Sequence, residues 1–162
     1  MDIIDINTTN VHTAWRMFEL LCQEQGTSHY ISTDVEKFTH ALCLPDAILR
    51  GIMAREGGTY LGLVLYYFGA SPYSASPFLS FKGLYVDPHH RHSGIGKALM
   101  QRLHMIASEK RCSHIQWNVV KENVGAISYY KHLGFDADPD PLLDYMTSLD
   151  DFAKALHHPK GI

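Results

Sequence analysis

The 162-residue sequence has no apolar run near the roughly 20 residues that a membrane-spanning helix needs. Its first residues, Met1, Asp2, Ile3, Ile4 and Asp5, carry two acids and none of the basic residues that open a secretion signal. Cysteine is scarce: Cys22, Cys43 and Cys112 are odd in number and never spaced Cys-x-x-Cys. That argues against a disulfide framework or a zinc site and for free thiols in a reducing, cytoplasmic compartment. A basic excess is also missing, with 14 Lys and Arg against 17 Asp and Glu and a formal net charge of −3. Nucleic acid is therefore not an expected partner, and neither is a membrane. Internal repeats, low-complexity tracts and linkers are absent. What remains is 46% apolar and 19% charged, the balance of an ordinary globular chain of single-domain length. One domain over residues 1–162 is expected.

Hydrophobic periodicity divides the chain into alternating helices and strands. A short strand over residues 3–6 leads to Asn7, Thr8, Thr9 and Asn10, good caps for a helix over 11–25. Trp15, Phe18, Leu21 and Cys22 share a face of that helix. Thr33 and Glu36 read as a capping box for a second helix to Leu42, with Val35, Phe38 and Leu42 inward. Strands are expected over 47–55 and 59–68, joined by a Gly57-Gly58 hairpin turn. A loop follows over 69–77, then a strand over 78–86. Ile95, Leu99, Leu103 and Ile106 share one face of the next helix. A strand over 114–120, a helix from Asn123 to about His132, a strand over 142–147 and a helix over 150–156 complete the pattern. The fold class is α/β (α+β), with a mixed sheet flanked by helices.

The informative stretch is the junction at residues 84–99. Leu84, Tyr85 and Val86 end a strand, Asp87 and Pro88 turn the chain, and Arg91-x-x-Gly94-x-Gly96 opens a helix. The first N–H groups of a helix lack internal partners and sit at the positive end of its dipole. Glycines at 94 and 96 let a phosphate approach the backbone with no Cβ in the way. The stretch reads as a pyrophosphate cradle. A P-loop would need Gly at 91 and Ser or Thr at 98, where Arg91 and Ala98 stand. A dinucleotide fingerprint would need Gly or Ala at 99, where Leu99 stands.

A strand ending Val-Asp-Pro, followed by Arg-x-x-Gly-x-Gly, resembles the acetyl-CoA motif of the GNAT superfamily of N-acetyltransferases. A second motif resembles the same superfamily: Asn123, Ala126, Ile127, Tyr130, Lys131, Gly134 and Phe135. The resemblance implies a mixed, mostly antiparallel central sheet, splayed in the middle where the pantetheine arm of acetyl-CoA enters. It implies that the backbone of Leu84, Tyr85 and Val86 holds that arm and offers an N–H to the thioester oxygen. The amides of His92, Ser93, Gly94, Ile95, Gly96 and Lys97 would hold the pyrophosphate, with Arg91 adding a contact to phosphate. Asn123 would contact the arm, and Tyr130 would lie near the sulfur as proton donor to the departing thiolate.

Within the superfamily, Arg111, Cys112 and Ser113, with Ile127 through Lys131, look most like the diamine (spermidine/spermine and thialysine) acetyltransferases. The expected acceptor is a small primary amine such as a diamine or polyamine. Two positions depart from the pattern, since Lys82 and Gly83 stand where those enzymes carry an acidic pair. The strand before the glycine motif, Ser80-Phe81-Lys82-Gly83-Leu84-Tyr85, also lacks the glutamate many relatives use as base. A water chain, a His or Glu from elsewhere, and Tyr85 are open alternatives for that role. A protein or peptide acceptor and a non-catalytic acyl-CoA sensor are the other readings of the same motifs, and the superfamily leaves room for a homodimer. Tyr129, turned about 100° from Tyr130 on a helix, reads as packing. His89, His90 and His92 lack a further converging ligand, so no metal is expected.

Overall fold

The computed structural model describes residues 1–135, and the strand and helix expected over 142–147 and 150–156 lie outside them. The chain forms two compact units, residues 1–123 and a second beginning at Val124. The first contains β1 (Asp2–Asp5), α1 (Val11–Glu24), α2 (Val35–Cys43), β2 (Arg50–Glu56), β3 (Thr59–Ser71), β4 (Ser76–Val86), α3 (Ile95–Glu109) and β5 (Ile115–Trp117). The described part of the second contains α4 (Val124–His132). No helix among the described residues is long and apolar enough to cross a membrane.

The five strands form one sheet in the order β1-β2-β3-β4-β5, as expected for a mixed, mostly antiparallel sheet. Three pairings are antiparallel and the last, β4 with β5, is parallel. Gly57 and Gly58 join β2 to β3 with φ of 55° and 87°. Positive φ at both central residues is the requirement of the turn whose twist matches a hairpin. β3 is central and covered on both faces. Leu63 and Leu65 enter a core with Val11, Ala14, Met17, Leu21, Phe38 and Leu42 of α1 and α2. At Gly62, on the opposite face, an added Cβ would meet Ile95 and Leu99 of α3 at 3.4 Å. The buried stripe of α3 is the expected one, Ile95, Leu99, Leu103 and Ile106, extended by Ala107.

Five expectations need correction. The loop expected over 69–77 is mostly strand, because β3 and β4 stay paired out to Ser71↔Ser76. Gly69 permits this, since Phe78 lies where its side chain would be (2.1 Å from an added Cβ). The strand expected over 114–120 pairs only at Ile115–Trp117. The buried face of α1 is Val11, Ala14, Met17, Leu21 and Cys22, while Trp15 and Phe18 flank it in an aromatic group with Phe38. The cap of α2 is Asp34, whose carboxylate accepts from Lys37 N–H at 2.8 Å, one residue later than the Thr33 box. Asn10 does precede α1, but its side chain closes the preceding turn through Asn7 N–H and Asp5 O.

Gly62→Ala tests the β3–β4 contact. Its Cβ would lie 2.6 Å from the Tyr85 carbonyl oxygen, a backbone atom that cannot swing aside. A loss of at least about 2 kcal/mol is expected from the shift in urea midpoint.

Candidate functional site

The site begins with a defect in β4. Leu65 pairs with Lys82, yet Leu63 pairs with Tyr85, so β4 spends one residue more than β3 over the same length. Gly83 sits in that bulge at φ +71°, a left-handed conformation suited to glycine. A Cβ there would also lie 3.0 Å from Leu21 of α1. Bulges bend a strand and increase its local twist. On its other side, β4 pairs with β5 only at residues 79–81, ending at Phe81↔Trp117. Residues 84–86 therefore have no partner on the β5 side among the described residues. This is the splay that the sequence pattern implies.

Past Val86 the chain is drawn back to the sheet, where Asp87 N–H donates to Leu61 O at 2.9 Å. The Asp87 carboxylate accepts from His89 N–H at 2.9 Å and contacts His90 Nδ1 at 3.1 Å. The His90 contact, with smaller help from His89, holds the Asp87 carboxyl below its ordinary value. His92 and Gly94 then adopt φ of 63° and 85°, and Gly94 caps α3. Left-handed residues close together are the backbone that turns successive N–H groups into one anion-binding concavity. None of the N–H groups of residues 92–97 donates to a protein acceptor among the described residues. The first turn of α3 carries no acidic residue to neutralise its positive end. These features fit a pyrophosphate.

Arg91 is tied to protein groups in this structure. Its Nε donates to Val86 O at 3.0 Å, and its Nη2 meets Glu24 Oε2 at 2.6 Å. The guanidinium thus ties the loop to the end of α1 instead of lying open to a phosphate. Tyr85 belongs to the α1–α2 core at 3% exposure. Burial first, then Glu24 and Asp87, push its hydroxyl above the ordinary tyrosine range, with Arg91 opposing. That removes Tyr85 from the candidate bases, because its phenolate is the disfavoured form. Lys82 Nζ donates to the Asn118 side-chain carbonyl just beyond the last β4–β5 pair.

Asn123 closes the first unit, its N–H donating to Val120 O at 2.9 Å. Tyr130 lies on α4 of the second unit, buried, with its ring 5.4 Å from that of Tyr129. Burial, with a lesser contribution from Tyr129, drives its hydroxyl far above the ordinary value and keeps it protonated at neutral pH. Tyr129 is half-buried and its hydroxyl has no hydrogen-bond partner among the described residues. Phe135 N–H returns to Tyr130 O and Gly134 N–H to Lys131 O, ending α4 at the expected Gly-Phe pair. Glu24 and Asn118 were not legible as site residues, since their partners lie 67 and 36 residues away. Asp87 was legible only as the residue that, with Pro88, turns the chain.

Two outcomes follow from this geometry. The amides of residues 92–97 should exchange rapidly with solvent in the free protein and slow at least about tenfold when coenzyme A is added, followed by hydrogen exchange with fragment resolution. Because burial raises the Tyr66 and Tyr85 hydroxyls above 10.0, their contribution to stability is whole below about pH 10 and falls as pH rises through their folded values. Tyr85→Phe should flatten the alkaline decline in thermal midpoint.

Comparison with known proteins agrees with this architecture. A thialysine N-epsilon-acetyltransferase from Bos taurus is 32% identical over 92 residues, or 57% of this chain and 54% of that protein. The chain thus spans about half the length of that relative. An integron cassette protein from the mobile metagenome of V. cholerae superposes with a TM-score of 0.76 at 20% identity, covering 97% of this chain and 98% of that one. AAC(6')-Iy, solved with the bisubstrate analogue CoA-S-monomethyl-acetylneamine, superposes with a TM-score of 0.69 at 19% identity over 91% and 97% of the two chains. The profile of the acetyltransferase (GNAT) family matches residues 14–135. The chain belongs to the acetyltransferase (GNAT) family.

Proposed function

We propose that this protein transfers the acetyl group of acetyl-CoA to the primary amine of a small molecule, the whole chain acting as one N-acetyltransferase domain. The observation that carries the reading is the run of N–H groups over residues 92–97 that find no protein acceptor among the described residues, placed directly after a strand segment, 84–86, that has no β5 partner among them. Family membership and the bovine relative's name, thialysine N-epsilon-acetyltransferase, support it.

Residues 84–86 would receive the pantetheine arm as an added strand, main chain to main chain. An N–H on that edge would stabilise charge gathering on the thioester oxygen, where a preorganised donor counts most. Residues 92–97 would hold the pyrophosphate, and Asn123 would contact the arm. Acetyl-CoA, when bound, supplies an activated acetyl group whose C–S bond breaks as the C–N bond to the amine forms. Tyr130, held protonated by burial, would give its proton to the departing sulfur. An alkyl ammonium of pKa about 10.4 is neutral in about one part in 10³ at pH 7. Burial disfavours the phenolate that Tyr85 would need to act as base, and Glu24 is paired with Arg91. Water is therefore proposed to take the proton of the incoming amine.

Tyr130→Phe keeps the ring and removes the proton. It should lower kcat about 10- to 100-fold, with KM for acetyl-CoA nearly unchanged, in an assay of free-thiol release with a good amine substrate. Unchanged turnover would remove Tyr130 from the mechanism.

A further inference from the structure

Lys82 occupies the apex of the opening between β4 and β5. The last paired residues are Phe81 and Trp117, and one step beyond each the Lys82 ammonium donates to the side-chain carbonyl of Asn118. The bond joins two strand ends that are 36 residues apart in sequence. Among the described residues no carboxylate lies within ion-pair distance of Lys82. An ammonium has three donors, and a single neutral amide satisfies one without offsetting the charge. Lys82 is exposed on the surface. It precedes by two residues the free edge that begins at Leu84, about 7 Å along an extended strand. A positive charge thus stands at the mouth through which an acceptor amine would approach the edge at 84–86.

We propose, resting on the acetyltransfer reading above, that Lys82 determines specificity by selecting acceptors with a carboxylate at the end away from the reacting amine. Acceptors carrying a second ammonium there are disfavoured. A carboxylate would take the unused ammonium donors in a charge-assisted contact. A distal ammonium would meet a like charge that nothing on β4 offsets, and such juxtaposition is an effective means of rejecting a wrong partner. The Asn118 bond holds the lysine head at the strand ends, so the charge has a defined position before the acceptor arrives. Asn118 is therefore a positioning residue for Lys82.

The test compares 5-aminopentanoate with cadaverine, two five-carbon amines differing in whether the far end is carboxylate or ammonium, with pentylamine as the uncharged reference. The wild-type protein should show kcat/KM at least about 10-fold higher for 5-aminopentanoate than for cadaverine. Lys82→Glu should invert the order, and Lys82→Gln should bring the two within a few-fold of each other. Coenzyme A affinity, measured by calorimetry for each variant, separates a change in selection from a damaged fold. A wild-type preference for cadaverine, or a ratio indifferent to residue 82 in variants that still bind coenzyme A, overturns this inference while leaving acetyltransfer intact. Absence of thiol release with all three amines in a protein that binds coenzyme A overturns the acetyltransfer reading and this one together.

Discussion

One extra residue in β4 governs the geometry of the first unit. With Gly83 in a left-handed bulge, β4 stays in register with β3 on one side while its pairing with β5 stops at Phe81. A regular strand would continue both ladders and satisfy its own backbone, leaving nothing to pair with a ligand. The bulge therefore converts part of an interior strand into an open edge in the middle of a sheet. Exposed edges are usually blunted because they invite aggregation. Here the segment without a β5 partner among the described residues is short, following the paired stretch at 79–81 and ending at Val86, so it presents no long template. Gly83 is required twice, by its φ and by the closeness of Leu21.

The second determinant is the way the chain leaves that strand. Asp87 pins the turn through its own N–H, through His89 N–H and through His90, and the chain then enters α3 by way of His92 and Gly94. Among the described residues no side chain caps the start of α3. The resulting concentration of mostly solvent-exposed donors at a positive helix end favours an anion over the water that otherwise satisfies them. Arg91 does not compensate there. Instead it ties the loop after β4 to Glu24 at the end of α1. The pair is partly exposed, so its own contribution to stability is small, and its value lies in holding the loop in position.

Much of this was readable from residue order alone. The 3.6-residue stripe of Ile95, Leu99, Leu103 and Ile106 found the core face of α3, and Gly57-Gly58 found its hairpin, because both signals are local. The Asn123 to Phe135 motif located α4 and its end for the same reason. The failures share the opposite cause. Gly69 and Pro77 look like loop residues until a facing strand supplies Phe78 to fill the space above Gly69. Val119 and Val120 look like strand residues, yet β4 pairs with β5 only as far as Trp117. Tyr85 looked available for proton transfer from its place beside the motif, but the alternation of β4 directs it into the α1–α2 core.

The sequence by itself determined the α/β class, the placement of most elements and membership of the family whose motifs it carries. Those properties follow from glycine positions, helix starts and periodicities that act within a few residues. Tertiary structure alone decided that Arg91 binds Glu24, that Tyr85 is buried with a raised pKa, and that Lys82 meets Asn118 at the strand ends. Each of these depends on groups brought together from distant parts of the chain, and on how far burial or pairing alters a charge. Local pattern carries no record of such distances, because they are set by packing the completed sheet against its helices.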